Sequence, residues 1–437
     1  MDAGELASLL RDHALRYPVP GAAVGILRDG ATLTACYGVA DVATGEPVTD
    51  ETRFSPGSLT KSMVATTIAR LADAGRLSLE DPVAAHLPDM RGGWAETATL
   101  RSLLANDARA PRSTDLEFGF AGRNQADDDA LARFVAGAAS EPPSGPTWSY
   151  SNLGWCVLGR VIESVTDATW EDATRMHLLD PAGMRETAFA TGAGPVRRAT
   201  GHAVTPDGPA PIEPLVSRAY GPAGTSLVST VPDLLRFCRL HLEDASLAPL
   251  RQAHSHVRIH AWLDAWCLGW ARFDWEGGPV WGWDGMISGE RSVLRLLPGH
   301  GAAVVLLTNS DAGRALYRSL LTDLMDAVFG IEVTPLCLEP APGAAGDLSR
   351  FTGVYAWPDH RVQVDEAGDG LRMESEDGAW TARPIDGRTF LVDAADPDTP
   401  TVTFAAFDAA GRPRVLYEML WGLPRVAPDE GSPPTAA

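Results

Sequence analysis

Apolar and polar positions divide the chain into strand-like ends around a helical middle. Near the N-terminus, Asp29-Gly30 separates two apolar runs, a pattern typical of a β-hairpin with a tight turn. Strand-like runs return much later in the chain, at 268–273, 289–297 and 302–308. Residues 96–190 carry mostly helical periodicity, and a further helix is predicted over 313–329. This order predicts an α+β fold, with an antiparallel sheet flanked by helices and an all-helical lobe inserted between its two halves.

The end of the chain carries a different pattern. Residues 331–350 are rich in proline, glycine and alanine, which is typical of a linker. Residues 351–426 alternate short strand-like runs with turns of Gly, Asp and Pro, which predicts a small β-barrel-like domain. The tail 427–437 is rich in Pro, Ser and Ala and is predicted to be disordered. The main domain is accordingly expected to span 1–330.

Composition and charge narrow the possible functions. The formal net charge of -21 argues against nucleic-acid partners and anionic membrane surfaces, which both require clusters of Lys and Arg. The sequence contains no apolar run long enough for a membrane span, and its start lacks the features of a secretory signal. The cysteines lack metal-ligand spacing and are expected to be reduced. They are Cys36, Cys156, Cys238, Cys267 and Cys337. A cytoplasmic protein without a metal site is therefore predicted.

Lys61 is the only lysine in the chain, although Lys and Arg together number 36. Arginine stays protonated at any working pH, whereas a desolvated lysine can lose its proton and act as a base. The pattern from Ser58 predicts a helix that ends near Gly75, so Lys61 shares a face with Ser58, three residues earlier. A bare S-x-x-K pattern usually means a helix cap and a surface lysine. Because the lysine is unique, we interpret Ser58 as a nucleophile and Lys61 as its base.

A second candidate segment is Tyr150-Ser151-Asn152, between a Pro/Gly-rich turn and a helical pattern. A tyrosine at such a junction can point into a cleft and share proton transfer with a lysine. Asn152 could orient the lysine or a substrate amide. Taken alone, the segment is more typical of a turn in which the asparagine side chain bonds the backbone.

Together with Gly282-Trp283-Asp284-Gly285, these two segments resemble the three motifs of the serine β-lactamase and penicillin-binding-protein superfamily. The resemblance is particularly to its class C-like esterase, D-aminopeptidase and transesterase branch, and it covers about residues 5 to 330. Residues 351–426 are similar to the lipocalin-like domain often attached behind such enzymes. The resemblance implies a β-lactamase/transpeptidase-like fold for the main domain.

The resemblance also implies roles for individual residues. Ser58 would be the acylated nucleophile and Lys61 its general base, while Tyr150 would pass the proton to the leaving group and later activate the attacking water or alcohol. The backbone N–H groups of Ser58 and Met286 would form the oxyanion hole. Gly285, which precedes Met286 on an edge strand, is placed with Asn152 among the substrate-binding residues.

Two departures from the family pattern affect the expected substrate and the loop over the cleft. Trp283 stands where the branch usually has Lys or His, a residue that helps to hold a substrate carboxylate. A tryptophan there is similar to what some esterase members carry, which favours an ester or another uncharged acyl substrate. Residues 103–109 replace a common His-Thr-Ser-Gly turn, so the loop over the cleft is expected to differ.

Six of the 13 tryptophans lie between 262 and 283. The four-residue spacing of Trp262, Trp266 and Trp270 favours packing of a helix on the sheet. Trp281 and Trp283, next to the predicted oxyanion-hole strand, are predicted to line the substrate pocket.

The leading hypothesis is a cofactor-free serine hydrolase or acyltransferase. It would act on an ester, thioester or amide of a small-molecule or peptidyl acyl substrate through a Ser58 acyl-enzyme. A first alternative is a transesterase, or a standalone penicillin-binding-protein-type thioesterase that receives a peptide from a carrier protein and cyclises it in natural-product biosynthesis. Trp283 argues against the cyclase, since such cyclases resemble the His-containing form. A second alternative, a non-catalytic binding protein on the same fold, is disfavoured by the intact Ser58, Lys61 and Tyr150.

Overall fold

The computed structural model describes residues 1–113, 116–117, 127, 129–145, 148–191, 196–259, 263–333, 339–393 and 401–427. Within them the chain forms an α+β domain with an antiparallel sheet flanked by helices, followed by a closed β-barrel. This confirms the predicted fold class. Three predicted features, Trp262, Cys337 and all but the first residue of the tail 427–437, lie outside the described residues.

The strands of the main domain are β1 Gly21–Arg28, β2 Ala31–Asp41, β3 Glu46–Pro47, β4 Ala188–Phe189, β5 His202–Thr205, β6 Gly208–Pro211, β7 Leu227–Val228, β8 Ala265–Trp266, β9 Ala271–Trp275, β10 Gly278–Ile287, β11 Glu290–Leu297 and β12 Ala302–Thr308. Eight of them form one antiparallel sheet in the order β3-β2-β1-β12-β11-β10-β9-β8. Strand β1 lies between β2 and β12, with Val24 opposite both Ala35 and Leu306. The two halves of the sheet, separated in sequence, therefore join through the β1–β12 pair.

The helices of the described residues are α1 Ala3–Ala14, α2 Thr60–Asp73, α3 Val83–His86, α4 Leu100–Leu104, α5 Ala130–Gly137, α6 Asn152–Thr166, α7 Trp170–Thr174, α8 Asp180–Ala182, α9 Val231–Glu243 and α10 Gly313–Phe329. Helix α1 packs on β2, α9 on β1 and β12, and α10 on β11. Strands β1 and β12 are consequently buried along almost their whole length. In the described part of the chain, no helix combines the length and apolarity that a membrane crossing requires.

The β1–β2 hairpin confirms the prediction from Asp29-Gly30, since both residues have the positive φ angles, 51° and 77°, of a tight hairpin turn. The chain inserted between the halves of the sheet is mainly helical. It also contains two small two-stranded sheets, β4–β7 and β5–β6, which the helical periodicity did not predict.

The helix predicted from the spacing of Trp266 and Trp270 is wrong. Trp266 lies in β8 and Trp270 directly precedes β9, and the N–H of Cys267 donates to the Trp270 carbonyl across a tight turn. Both indoles are fully buried. The four-residue spacing therefore reflects a hairpin that places both rings in the core, not successive turns of a helix.

The C-terminal strands are β13 Gly353–Trp357, β14 His360–Ala367, β15 Gly370–Ser375, β16 Gly378–Pro384, β17 Thr389–Val392, β18 Thr401–Ala405, β19 Val415–Glu418 and β20 Trp421–Val426. They form a closed barrel because each strand pairs with the next and β20 pairs with β13. Phe351, Phe390 and Phe404 form a fully buried aromatic cluster there. Residues 417–422, here called the barrel turn, comprise the end of β19, the two-residue turn and the start of β20, and they contact the main domain beside Trp148.

Candidate active site

Ser58 and Lys61 meet at the start of α2. Ser58 lies in a 3-10 turn, Gly57–Leu59, that leads directly into the helix. The Lys61 amine lies 3.0 Å from the Ser58 hydroxyl oxygen, in hydrogen-bonding contact. The predicted proximity of the two side chains is thus present, because positions three apart on a helical turn share a face.

The Lys61 amine is held in a fully buried position. It donates to the Ala223 carbonyl at 2.5 Å and lies 5.0 Å from the centre of the Tyr150 ring. Burial lowers the pKa of Lys61 to about 7, although Cys156 and Glu117 act in the opposite direction. A substantial fraction of the amine is therefore neutral near pH 7 and can accept a proton from Ser58.

Tyr150 faces the same site and is 3% exposed. The indole N–H of Trp283 donates to the Tyr150 hydroxyl at 3.1 Å. Burial raises the pKa of Tyr150 far above its ordinary value, and hydrogen bonds with Ser58 and Trp283 lower it only in part. The phenol is therefore neutral and suited to relay protons, while Lys61 is the group suited to act as the base.

The backbone around Tyr150 is fixed by two buried residues from the preceding loop. The Asn106 backbone carbonyl accepts from the Ser149 N–H, and the Asn106 side-chain oxygen accepts from the Ser151 N–H. The Arg112 guanidinium donates to the carbonyls of Ser149 at 2.9 Å and Tyr150 at 2.8 Å. Tyr150 thus has a defined position before any substrate binds.

Glu117 is a buried carboxylate at this site. Its two oxygens accept from the Ser151 hydroxyl at 2.9 Å and from the Asn152 N–H at 2.6 Å. Burial raises its pKa, while Arg112 and the hydrogen bonds from Asn152, Ser151 and the Trp421 side chain lower it. The carboxylate therefore links the Tyr150 segment to the loop before it.

Asn152 lines the cleft, but its side chain has a different partner from either predicted one. Its amide nitrogen donates to the backbone carbonyl of Glu117 at 2.6 Å. The amide nitrogen therefore fixes the Glu117 loop, while the roles of Asn152 toward Lys61 and substrate stay predictions. The simpler interpretation, an asparagine that bonds the backbone, describes this side chain better.

Strand β10 brings the third motif to Ser58. Strand β9 pairs with β10 only as far as Gly282, so residues 283–287 have an open edge toward the 3-10 turn of Ser58. Strand β10 is therefore an edge strand in its second half alone. A Cβ on Gly285 would lie 2.0 Å from the Pro56 carbonyl oxygen, so only glycine permits this approach.

Gly57 makes the matching close approach from the other side. Its φ is 52°, and a Cβ on Gly57 would lie 2.9 Å from the Met286 backbone nitrogen. Ser58, Gly285 and Met286 all line the resulting cleft, which measures about 250 Å³. The Met286 side chain is itself 47% exposed, so what this residue brings next to Ser58 is its backbone.

The cleft is lined by apolar side chains and also by charged ones. Trp283 lines it together with Leu215, Tyr220, Ile287 and Leu420. Arg291 and Arg314 also line it, and Arg291 pairs with Asp311 at 2.7 Å. The cleft thus contains cations despite the tryptophan at position 283.

Trp281 is not among the residues that line this cleft, so its role in substrate binding stays a prediction. Its indole N–H donates to the Arg251 carbonyl at 2.8 Å, so the ring is anchored to a neighbouring segment. Asp284, in the third motif, does line the cleft, but its carboxylate is bonded to protein groups. It accepts from the Tyr317 hydroxyl at 2.7 Å and pairs with Arg295 at 2.6 Å.

One group of residues in the described part of the chain has the ligand types and spacing to hold a metal ion. It consists of His360, Glu376 and Asp377 in the barrel. Its carboxylates are exposed, and none of the three residues lines the cleft. The group is therefore separate from the Ser58 site.

The sequence model of the beta-lactamase family matches residues 6–327 of the chain. The chain belongs to the beta-lactamase family. Members of this family and its structural neighbours are serine hydrolases, and this chain is an enzyme of that class. The predicted family is thereby confirmed.

Two known proteins are similar to this chain over most of its length. Penicillin-binding protein 4 of Amycolatopsis lactamdurans is 33% identical over 376 residues, which cover 79% of this chain and 96% of that protein. The crystal structure of SurE has a TM-score of 0.81 and 28% identity, and the match covers 97% of this chain and 99% of SurE. SurE with D-Leu matches with a TM-score of 0.79 and the same identity. The match with SurE includes the barrel as well as the beta-lactamase domain.

Sequence reasoning missed the residues that fix Tyr150 in this family member, namely Asn106, Arg112 and Glu117. Each is a single polar residue outside any motif, and each acts through contacts between distant parts of the chain. One signal existed for Asn106, since it lies in the stretch 103–109 that departs from the common family turn.

Proposed function

We propose that the protein transfers acyl groups through a covalent Ser58 acyl-enzyme, with Lys61 as the general base. The observation that supports this most directly is the 3.0 Å contact between the Ser58 hydroxyl and a fully buried Lys61 amine. The pKa of that amine, about 7, suits a base that works near neutral pH. The non-catalytic alternative gives no reason to bury the chain's single lysine beside a serine.

In the acylation step, the neutral Lys61 amine takes the Ser58 proton while the serine oxygen attacks the acyl carbon. The acyl oxygen becomes an oxyanion, and the N–H groups of Ser58 and Met286 stabilise its charge. When the bond to the leaving group breaks, the proton passes from Lys61 through the neutral Tyr150 phenol to the leaving group. The products are the Ser58 ester and the protonated leaving group.

Deacylation uses the same groups in reverse. A water, alcohol or amine attacks the ester carbon and gives its proton, through Tyr150, to Lys61. The Ser58 oxygen leaves and recovers the proton from Lys61, so the enzyme returns to its starting state. The identity of the attacking group decides between hydrolysis and acyl transfer.

We propose an ester, thioester or amide of a small-molecule or peptidyl acyl group as the substrate. A second candidate is transfer of the acyl group to an amine or alcohol, with a carrier protein as donor. Two observations favour it: the apolar walls of the cleft, which disfavour water as the attacking group, and similarity over almost the whole chain to a protein crystallised with D-Leu.

The proposed acyl-enzyme is tested by intact-protein mass after incubation with a p-nitrophenyl acyl ester and, separately, with a phosphonofluoridate. We expect one adduct on the wild type, and its loss in both Ser58→Ala and Lys61→Arg. A wild type without an adduct, or an equal adduct on Lys61→Arg, contradicts the proposal.

The two fates of the acyl group are distinguished by offering the acylated protein amines and alcohols in addition to water. Product masses then report hydrolysed acid or transferred acyl group. A dominant transfer product in dilute amine supports the second candidate, and acid alone supports hydrolysis.

A further inference from the structure

We propose that the barrel turn, residues 417–422, is a positioning segment of the active site that holds Tyr150 in place for proton transfer. This inference rests on the proposed acyl-enzyme function. It assigns a catalytic contribution to the C-terminal barrel, which carries none of the three sequence motifs.

Three hydrogen bonds connect the barrel turn to consecutive residues of the main domain. The Tyr417 hydroxyl donates to the Trp148 carbonyl at 2.7 Å. The Gly422 N–H donates to the Ser149 hydroxyl at 2.9 Å. The Tyr150 N–H donates to the Leu420 carbonyl at 3.1 Å. The turn therefore fixes the backbone as it enters the proposed proton-relay residue.

The side chains of the turn extend this contact into the cleft. Trp421 packs edge-on against the Tyr150 ring, with ring centres 6.0 Å apart. Its side chain is also among the groups that lower the pKa of Glu117, the carboxylate that holds Ser151 and Asn152. Met419, Leu420 and Trp421 all line the cleft with Ser58. The barrel thus contacts Tyr150 through both its backbone and its ring.

These bonds complete the restraint that the main domain begins. Asn106 and Arg112 bond the backbone of Ser149 and Ser151 and the Tyr150 carbonyl. The Tyr150 N–H donates instead to the barrel turn. Because Trp148, Ser149 and Tyr150 are at most 4% exposed, water cannot readily replace a lost partner. A displacement of about 1 Å in a catalytic group is enough to cost a large part of the rate.

The test compares Tyr417→Phe with a matched control, Tyr355→Phe, in the full-length protein. Both hydroxyls lie on fully buried tyrosines of the barrel and donate to a backbone carbonyl, but the Tyr355 hydroxyl bonds Phe351 within the barrel. We expect Tyr417→Phe to slow acylation of Ser58 by about tenfold, and Tyr355→Phe to change it less than twofold. Thermal stability should fall to a similar extent in both variants, because each loses one buried hydrogen bond.

The decisive measurement repeats Tyr417→Phe in a Tyr150→Phe background, with phosphonofluoridate labelling as the readout. If the barrel turn acts through Tyr150, the second substitution adds less than a twofold further loss. Trp421→Phe, which keeps an aromatic ring, gives the same comparison should Tyr417→Phe fail to fold. Trp421→Phe should slow acylation of Ser58 about threefold when Tyr150 is present, and it should cause no further loss in the Tyr150→Phe background.

Two outcomes overturn the inference while leaving the acyl-enzyme intact. One is a wild-type acylation rate in both barrel-turn variants. The other is an equal loss with and without the Tyr150 hydroxyl, which indicates a structural role only. A wild type that forms no Ser58 adduct overturns the proposed function itself, and this result is distinct from either of the others.

Discussion

The two residues that we propose transfer protons, Lys61 and Tyr150, are positioned in opposite ways. Lys61 reaches Ser58 within a single helical turn, and the intervening backbone is enough to place it. Tyr150 is held by Asn106 and Arg112 from one loop and by the barrel turn from far along the chain. The Ser58–Lys61 contact is local, whereas the position of Tyr150 depends on the assembly of the complete fold.

This difference predicts which substitutions act on chemistry alone and which act through the fold. Changes at Lys61 remove a chemical group from an otherwise intact helix. Changes around Tyr150 alter its position while leaving the phenol present. The local pair should therefore give the largest effects on rate, and the contacts around Tyr150 should give graded ones.

The largest effect is expected for Lys61→Arg. The guanidinium keeps the positive charge but does not lose its proton, so it cannot act as the base. We expect acylation by a p-nitrophenyl ester to fall by about 10²- to 10⁴-fold, the usual contribution of a general base. Pre-steady-state burst kinetics measure this directly.

Lys61→Met is the control for the Lys61→Arg variant, because it fills the buried site without a charge. An equal loss of rate in both variants, with folded protein in each, indicates that the neutral amine is required. A Lys61→Arg enzyme within threefold of the wild type contradicts the assignment of Lys61 as the base.

The next effect concerns pH. Because burial lowers the pKa of Lys61 to about 7, its neutral form increases as pH rises through that value. The acylation rate should therefore be constant above about pH 8 and fall about tenfold for each unit below 7. A rate profile over pH 5 to 9 measures this limb. A rate that is flat down to pH 5 would mean that Lys61 is not the base in the rate-limiting step.

A smaller effect is expected for Gly57→Ala. At a φ of 52° an added Cβ would meet the Met286 nitrogen at 2.9 Å, so the 3-10 turn and β10 must separate. This shift should weaken the proposed oxyanion hole and lower kcat about 30-fold, less than the full loss of one donor. Gly75→Ala is the matched control, since Gly75 has a φ of 69° beyond the other end of α2 and its Cβ would meet nothing within 4 Å.

Each glycine variant should lose about 1 kcal/mol of stability because it forces a non-glycine residue into the left-handed region, and Gly57→Ala should lose more because its Cβ also displaces β10. Only Gly57→Ala should lose activity. If Gly75→Ala loses as much activity as Gly57→Ala, backbone strain in α2 explains the effect and the approach to Met286 does not.

The extent of sequence-based prediction follows the same division between local and distant contacts. The hairpin at Asp29-Gly30, the Ser58–Lys61 turn and the helix Gly313–Phe329 depend on residues close in sequence, and each was predicted. Asn152 and Trp281 were assigned roles in substrate binding from their neighbours in sequence. The hydrogen-bond partners of their side chains in the structure, Glu117 and Arg251, are distant in the chain, and no local pattern indicates them.

The smallest effect, and the sharpest comparison, separates Trp283 from Trp281. Both lie on β10, and both donate an indole N–H to an oxygen, but the acceptors are the Tyr150 hydroxyl and the Arg251 carbonyl. Trp283→Phe should lower kcat about fivefold, the effect of one neutral hydrogen bond, with little change in KM. Trp281→Phe should lose similar stability and keep kcat within twofold.

If instead the two variants raise KM equally and leave kcat unchanged, both rings contact substrate. The Trp283→Phe loss should also disappear in a Tyr150→Phe background, because the acceptor of its hydrogen bond is then absent. In that case the tryptophan that replaces the usual cation of the third motif acts on the same phenol that the barrel turn holds. Tyr150 would then be the point at which two distant parts of the chain control one proton transfer.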